Sequence, residues 1–362
     1  MKIVVHRDNL QRAVGLVERV TAKNAALPIL SNILLVAEGG RLRLSATNLE
    51  TGVTAVIAAK SDANGRVAVP GRILGDLARA AQGDTVSLSL KQNVLTIESG
   101  AYKTTVLCFD AAEYPIIPKI EGGVRYTVQA SDVLRLFTSV ADSIAASESR
   151  PELAGAYLRF ASDGTIAAAT DSFRLVERTM PAKHGSESSA IVPRATVLEA
   201  LRLLSGVESE VEVRIADNQI SLIGEDFELV SRLVDGRYPD YRKVVPERFL
   251  SKALVRRDQL ENAIKVAALF SSSISDVKLQ CQEKTFSVSA KNASKGEGEA
   301  TIEAALKGEP FDISLNYHYL LDGLKAIQDE KVVMQFTGKG SPFVMRPASE
   351  DPTVYIIMPL RG

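Results

Sequence analysis

Apolar residues recur at helical spacing in six stretches of this chain and at every second position in the runs between them. Leu10, Val14 and Val17 form one helical stripe, Val133, Phe137, Val140 and Ile144 a second, and Leu260, Ile264 and Ala267 a third. Each predicts an amphipathic helix with one buried face. A short strand-like run and a polar start signal introduce each of them: Val5–Leu10 (VHRDNL), Val128–Val133 (VQASDV) and Val255–Leu260 (VRRDQL). Asp8, Ser131 and Asp258 stand where an N-cap side chain would accept backbone N–H bonds. Three more helices are predicted from Val69–Leu77 (VPGRILGDL), Val192–Leu201 (VPRATVLEAL) and Leu315–Leu324 (LNYHYLLDGL). Pro70 and Pro193 suit a first helical turn, where a missing N–H costs nothing.

The two sets keep step with one another. Val5, Val128 and Val255 are 123 and 127 residues apart, and Pro70, Pro193 and Asn316 are each 123 apart. Two independent landmarks at one spacing make the chain a threefold repeat. Between the helices, Arg41–Ser45, Val86–Leu90, Val211–Ile215 and Phe286–Ser289 alternate apolar and polar residues, the mark of a strand with one buried face. Gly39-Gly40, Asn64-Gly65, Asp163-Gly164 and Asp217-Asn218 are predicted hairpin turns. The expected fold is α+β: three similar domains of two helices and short antiparallel strands, spanning 1–121, 122–247 and 248–362. Linkers this short, without low-complexity sequence, favour packed domains over independent modules on a string.

Composition narrows the function by exclusion. The 362 residues carry a net charge of −1, which excludes a uniformly basic nucleic-acid binder but allows a basic surface balanced by an acidic one. Residues 1–121 carry +3 and residues 122–246 carry −4. Two isolated cysteines, Cys108 and Cys281, fit a reduced cytoplasmic protein without disulfides or a zinc site. The opening MKIVVHRDNL has no long apolar core, so a secretory signal is not expected, and no apolar run is long enough to span a membrane. His6, His184 and His318 lie far apart, and phosphate-loop, GxSxG and CxxC motifs are lacking. No catalytic residue, metal or cofactor is therefore expected.

Several segments resemble one family: Ala26–Leu34 (ALPILSNIL), Ala169–Leu175 (ATDSFRL), Ile191–Arg194 (IVPR), Leu233–Tyr241 (LVDGRYPDY) and Met358–Arg361 (MPLR). Together with the length and the triplication, they are similar to the β subunit of bacterial DNA polymerase III, a replication sliding clamp. That resemblance implies a head-to-tail homodimer whose six domains close a ring. Its helices would line a hole for double-stranded DNA and its sheets would form the outer wall. The implied function is polymerase processivity without catalysis.

The resemblance also implies a hydrophobic pocket that receives linear peptides of the replicative polymerase, the clamp loader and repair proteins. Carried over by position, it comprises Leu153, Thr170, Ser172, Phe173, Arg174, Leu175, Pro239, Lys243, Val244, Ile356, Met358, Pro359, Leu360 and Arg361. Gly, His and Arg are frequent in relatives where this chain has Ser172, Phe173 and Lys243, which implies a reshaped pocket. Read without the family, Asp171 and Arg174 form a pair that orders the end of a strand.

The helical segments carry Arg7, Arg12, Arg19, Lys23, Arg72, Arg79, Arg135, Arg194, Arg202, Arg256, Arg257, Lys265 and Lys325. As a group they are candidates for loose contact with phosphates, although exposed helices commonly carry such charges. The dimer contact is expected between an outer strand, Lys103 to Phe109, and Gly296 to Ala304. Lys103 and Arg72 would meet Glu297 and Glu299, while Leu269 and Phe270 pack on Val106. Two other readings compete with the ring: a monomeric peptide-binding adaptor that encircles nothing, and an enzyme such as a nuclease.

Overall fold

The computed structural model describes residues 1–21 and 27–360. Its six α-helices fall two to a repeat: α1 (Arg7–Val17), α2 (Gly71–Ala80), α3 (Ala130–Val140), α4 (Arg194–Leu204), α5 (Arg257–Ala268) and α6 (Tyr317–Ala326). The predicted stripes are the buried faces. Leu10, Val14 and Val17 of α1, Phe137 and Val140 of α3, and Leu260 and Ile264 of α5 are each 4% exposed or less. Each such side chain contributes about 1.5–3 kcal/mol by leaving water. Helix α1 lies against α2, and α5 lies against α6.

Helices α1 and α5 start two residues earlier than predicted. His6 and Arg256 are the N-cap residues of α1 and α5, and neither gives a side-chain cap. Asp8, Ser131 and Asp258 therefore sit inside the first turn, where Asp8 and Asp258 favour the positive end of the helix dipole. Pro70 closes the preceding strand and serves as the N-cap of α2, and Pro193 likewise ends the strand before α4. Asn316 caps α6 with its side chain, accepting from the His318 N–H at 2.9 Å.

The described chain divides into two compact units, Met1–Ala130 with Arg202–Leu233, and Ser131–Leu201 with Val234–Gly362. The first unit contains two sheets. A five-stranded sheet runs Lys60–Ala63, Lys2–His6, Thr85–Lys91, Val94–Ser99, Tyr102–Leu107. An eight-stranded sheet runs from Val124–Gln129 to Gly65–Pro70, and in it Phe227–Ser231 of the second repeat pairs with Thr51–Ala55 of the first. In the second unit a twelve-stranded sheet runs from Ser188–Pro193 to Phe311–Asn316. There Arg174–Glu177 of the second repeat pairs with Val354–Ile357 of the third. Continuous ladders across both repeat boundaries replace the picture of independent modules.

Three of the four predicted turns are hairpins. Gly39 and Gly40, both at positive φ (58° and 73°), join two paired strands with the backbone twist that a two-residue hairpin needs. Asp163-Gly164 and Asp217-Asn218 also lie where paired antiparallel strands join, without positive φ at Asp163, Asp217 or Asn218. Asn64-Gly65 does not: the strand before it pairs with Lys2–His6, and the strand after it pairs with Asn32–Ala37. It hands the chain from one sheet to another.

Candidate peptide-binding site

Strand Gly164–Thr170 and strand Arg174–Met180 are adjacent, and the tight loop between them carries the ATDSFRL motif. Asp171 organises that loop. Its Oδ1 accepts from the backbone N–H groups of Phe173 and Arg174, each at 3.0 Å, and its Oδ2 takes Arg174 Nε at 3.0 Å. Thr170 donates its hydroxyl to the Arg174 carbonyl at 2.6 Å, and its N–H donates to the Tyr238 hydroxyl at 3.1 Å. Ser172 adopts φ 78°, the left-handed region that glycine enters without a steric cost. The Asp171–Arg174 pair read from sequence is real, and it shapes the loop as well as closing it.

Arg174 is the hub. Its Nη1 donates to Asp322 Oδ2 at 2.5 Å, its Nη2 donates to the Asp142 carbonyl, and its guanidinium lies 4.6 Å from the centre of the Tyr319 ring. Burial works against its charge, but Tyr355, Asp322 and Asp171 together outweigh burial and hold it protonated above the ordinary arginine range. Lys325 completes the cluster, 2.8 Å from Asp322 and 3.3 Å from Asp142. Burial also pushes the phenols of Tyr238 and Tyr241 above their ordinary range, and the Tyr241 hydroxyl donates to Glu177.

An open cavity of about 710 Å³ adjoins this loop. Ser172, Phe173, Met358, Pro359 and Leu360 line it, as the family pattern implies, together with Asp312, Ile313, Ser314, Tyr319, Lys339 and Gly340. The tail is held by two backbone bonds, Met358 N–H to the Phe173 carbonyl at 2.8 Å and Leu360 N–H to the Ser314 carbonyl at 3.0 Å. Leu153, Leu175 and Ile356 are buried in one cluster with Tyr238, Tyr241, Val344 and Val354. None of these three lines the cavity: they are packed core residues. Val244 is 51% exposed, Pro239 is half-buried, and Lys243 is exposed and paired with Asp240 at 2.9 Å. Arg361 lies outside the described residues. Sequence reasoning missed Tyr319 and Asp312–Ser314, which belong to the third repeat. Their one sequence signal was proximity to the repeated helix-start landmark at Asn316.

Most of the basic helix residues are already paired. Arg7 meets Asp8, Arg12 meets Asp226 at 2.6 Å, and Arg79 meets Glu18 and Asp76, each at 2.8 Å. Arg256 meets Asp258 and Glu330, while Arg257 and Lys265 share Glu261. Arg202 corrects the sequence reading more strongly. It is half-buried and donates to the carbonyls of Gly15, at 2.9 Å, and Leu16, so it caps the C-terminal end of α1 instead of presenting a free charge. Arg72, Arg135 and Arg194 are exposed. Lys23 lies outside the described residues.

Of the expected dimer edges, Tyr102–Leu107 is the outermost strand of its sheet, and Phe109 makes only an isolated bridge to Ala68. Lys103 is exposed and paired with Glu98 at 2.8 Å. Val106 is 4% exposed and faces its own core, so it offers nothing to a partner. Side chains alternate along a strand, and the neighbouring Leu107, 77% exposed, takes the outward position. In the second unit, strand Gly296–Gly308 pairs with Ser251–Val255 only through Ala304–Gly308, which leaves one side of Gly296–Glu303 open. Glu297 and Glu299 are exposed on that open half, the Phe270 ring covers Gly298, and Leu269 is 67% exposed.

Among the described residues, no His, Cys, Asp and Glu cluster could hold a metal ion, and no helix is long and apolar enough to cross a membrane. Repeated α+β domains with sheets continuous across their boundaries, and a cavity where the last strand meets the second repeat, define the architecture of a sliding clamp. Family models for the DNA polymerase III beta subunit match in chain order: the N-terminal domain over 1–118, the central domain over 127–240 and the C-terminal domain over 242–361. The beta sliding clamp of Caulobacter vibrioides is 30% identical, with all of both chains covered. A crystal structure of the Pseudomonas aeruginosa clamp bound to griselimycin is 28% identical, with a TM-score of 0.96 and full coverage of both chains. The DNA polymerase III beta subunit of Thermotoga maritima is 28% identical at a TM-score of 0.94, covering 100% of this chain and 99% of that one. This chain belongs to the DNA polymerase III beta subunit family, the non-catalytic processivity factors of bacterial replication.

Proposed function

We propose that the chain works as a cytoplasmic homodimeric ring that encircles duplex DNA, slides along it and tethers the replicative polymerase, the clamp loader and repair proteins. The observation that carries this reading is similarity to clamp structures over the whole chain, at a TM-score of 0.96. Three domains, 1–121, 122–247 and 248–362, would each supply two helices to the lining. The open edges at Tyr102–Leu107 and Gly296–Glu303 would join between subunits, and pairing them would hide strand edges otherwise free to aggregate. Exposed cations such as Arg72, Arg135 and Arg194 would meet phosphates without reading bases. Partner peptides would enter the cavity beside Phe173, Tyr319 and Met358. The decisive experiment is retention after loading: the ring stays on nicked circular DNA and is lost on linearisation. Equal retention on both forms rejects encirclement and favours a monomeric peptide-binding adaptor.

A further inference from the structure

We propose that Asp322 is a positioning residue for the peptide site, acting through Arg174. The inference rests on the reading of that cavity as the partner pocket. Each of the three guanidinium nitrogens of Arg174 donates to a protein group: Nε to Asp171, Nη1 to Asp322 and Nη2 to the Asp142 carbonyl. A side chain so committed is a strut and leaves recognition of the ligand to its neighbours. Those neighbours make up the site. Phe173, one residue before it, is 60% exposed on the cavity wall and holds the tail through the Met358 N–H. Leu175, one residue after it, is 4% exposed and packs in the core with Tyr238, Tyr241 and Ile356. Tyr319, beneath the guanidinium, lines the opposite wall.

The cavity takes Ser172 and Phe173 from the second repeat and the rest of its lining from the third. Asp171 and Asp142 belong to the second repeat and hold Arg174 to its own repeat. Asp322 and Tyr319 belong to α6 of the third repeat and tie it across. The ion pair with Asp322 is 2.5 Å long and its side chains are 11% and 19% exposed, so solvent screens it little. Removing the charge of Asp322 frees the Arg174 end to relax toward its own repeat, and the Phe173 wall and the Tyr319 wall lose their register.

A comparator separates positioning from general stability. Arg178, four residues along the same strand, forms an equally short pair with Asp351, 2.5 Å long with side chains 10% and 27% exposed, but unlike Arg174 it has no cavity-lining residue beside it in sequence. Asp322→Asn and Asp351→Asn are compared in the full chain. Affinity is measured calorimetrically with an extended peptide carrying a Gln anchor and terminal Leu and Phe, and thermal unfolding is followed in parallel. Asp322→Asn weakens the peptide about tenfold, the loss of one charge-assisted contact. Asp322→Glu recovers most of that loss, and Asp351→Asn leaves affinity within about twofold even where its unfolding midpoint falls as far. Equal weakening in both Asn variants overturns positioning in favour of general destabilisation, and unchanged affinity in Asp322→Asn overturns it outright. A truncation after Ile357 tells the two readings apart. If it abolishes binding while Asp322→Asn has no effect, only the positioning role fails. If it too leaves affinity unchanged, the pocket reading has failed.

Discussion

Truncation after Ile357 removes the tail that walls the cavity and leaves the buried strand Val354–Ile357 in place. Two backbone bonds are lost with it, from Met358 to Phe173 and from Leu360 to Ser314. At about 1 kcal/mol each, they make the truncated chain less stable by about 2 kcal/mol, small enough to leave it folded. Binding suffers more. A peptide that buries two apolar side chains gains about 3–6 kcal/mol before ordering costs. Met358, Pro359 and Leu360 form much of the wall those side chains would touch. Losing about half of that contact, about 1.5–3 kcal/mol, weakens a micromolar complex about 10- to 150-fold. Calorimetry with the extended peptide reads the loss, and light scattering shows an unchanged dimer, because the tail is part of neither open edge. Undiminished affinity would place the peptide elsewhere and remove Met358–Leu360 from the site.

Leu107→Asp puts a charge on the exposed apolar position of the outer strand and is expected to shift light scattering from dimer toward monomer, whereas a mass that stays dimeric moves the interface off this strand. Ser172→Gly relieves a left-handed serine and should raise the unfolding midpoint slightly, by the equivalent of about 0.5 kcal/mol; a fall would show that the Ser172 contact with Arg150, at 3.3 Å, matters more than the backbone. Arg202→Ala should destabilise the chain by about 1–2 kcal/mol in denaturant titration, whereas Arg135→Glu leaves stability unchanged and weakens loading alike on every DNA sequence. The reverse pattern would restore Arg202 to the DNA-facing set.

The repeat and its helices were legible because hydrophobic stripes and their spacing are written locally along the chain. Leu10, Phe137 and Ile264 went to the core for the reason their spacing indicated. What failed to show depends on which strand meets which. Nothing near Asn64-Gly65 reveals that its flanking strands belong to different sheets, since that depends on partners far away in sequence. Val106 was misplaced because a strand shows its two faces but not which one the core takes, and a one-residue slip reverses every side chain. Arg202 looks like any cation on a helix until α1 supplies carbonyls within its reach. For the pocket, the ATDSFRL loop and the tail were marked by resemblance, whereas Tyr319 and Asp322 enter only through the fold, which brings α6 up to Arg174.

The pairing of Arg174–Glu177 with Val354–Ile357 also has a mechanical meaning. Hydrogen bonds between antiparallel strands lie across the strand direction, so a pull along a strand strains every rung at once, whereas a pull across it opens them in turn. The tail at Met358–Leu360 continues directly from Val354–Ile357. Cargo that dragged on that tail along the strand would load the joint in shear, its strongest direction. A tether attached there would grip where the fold best resists being torn open.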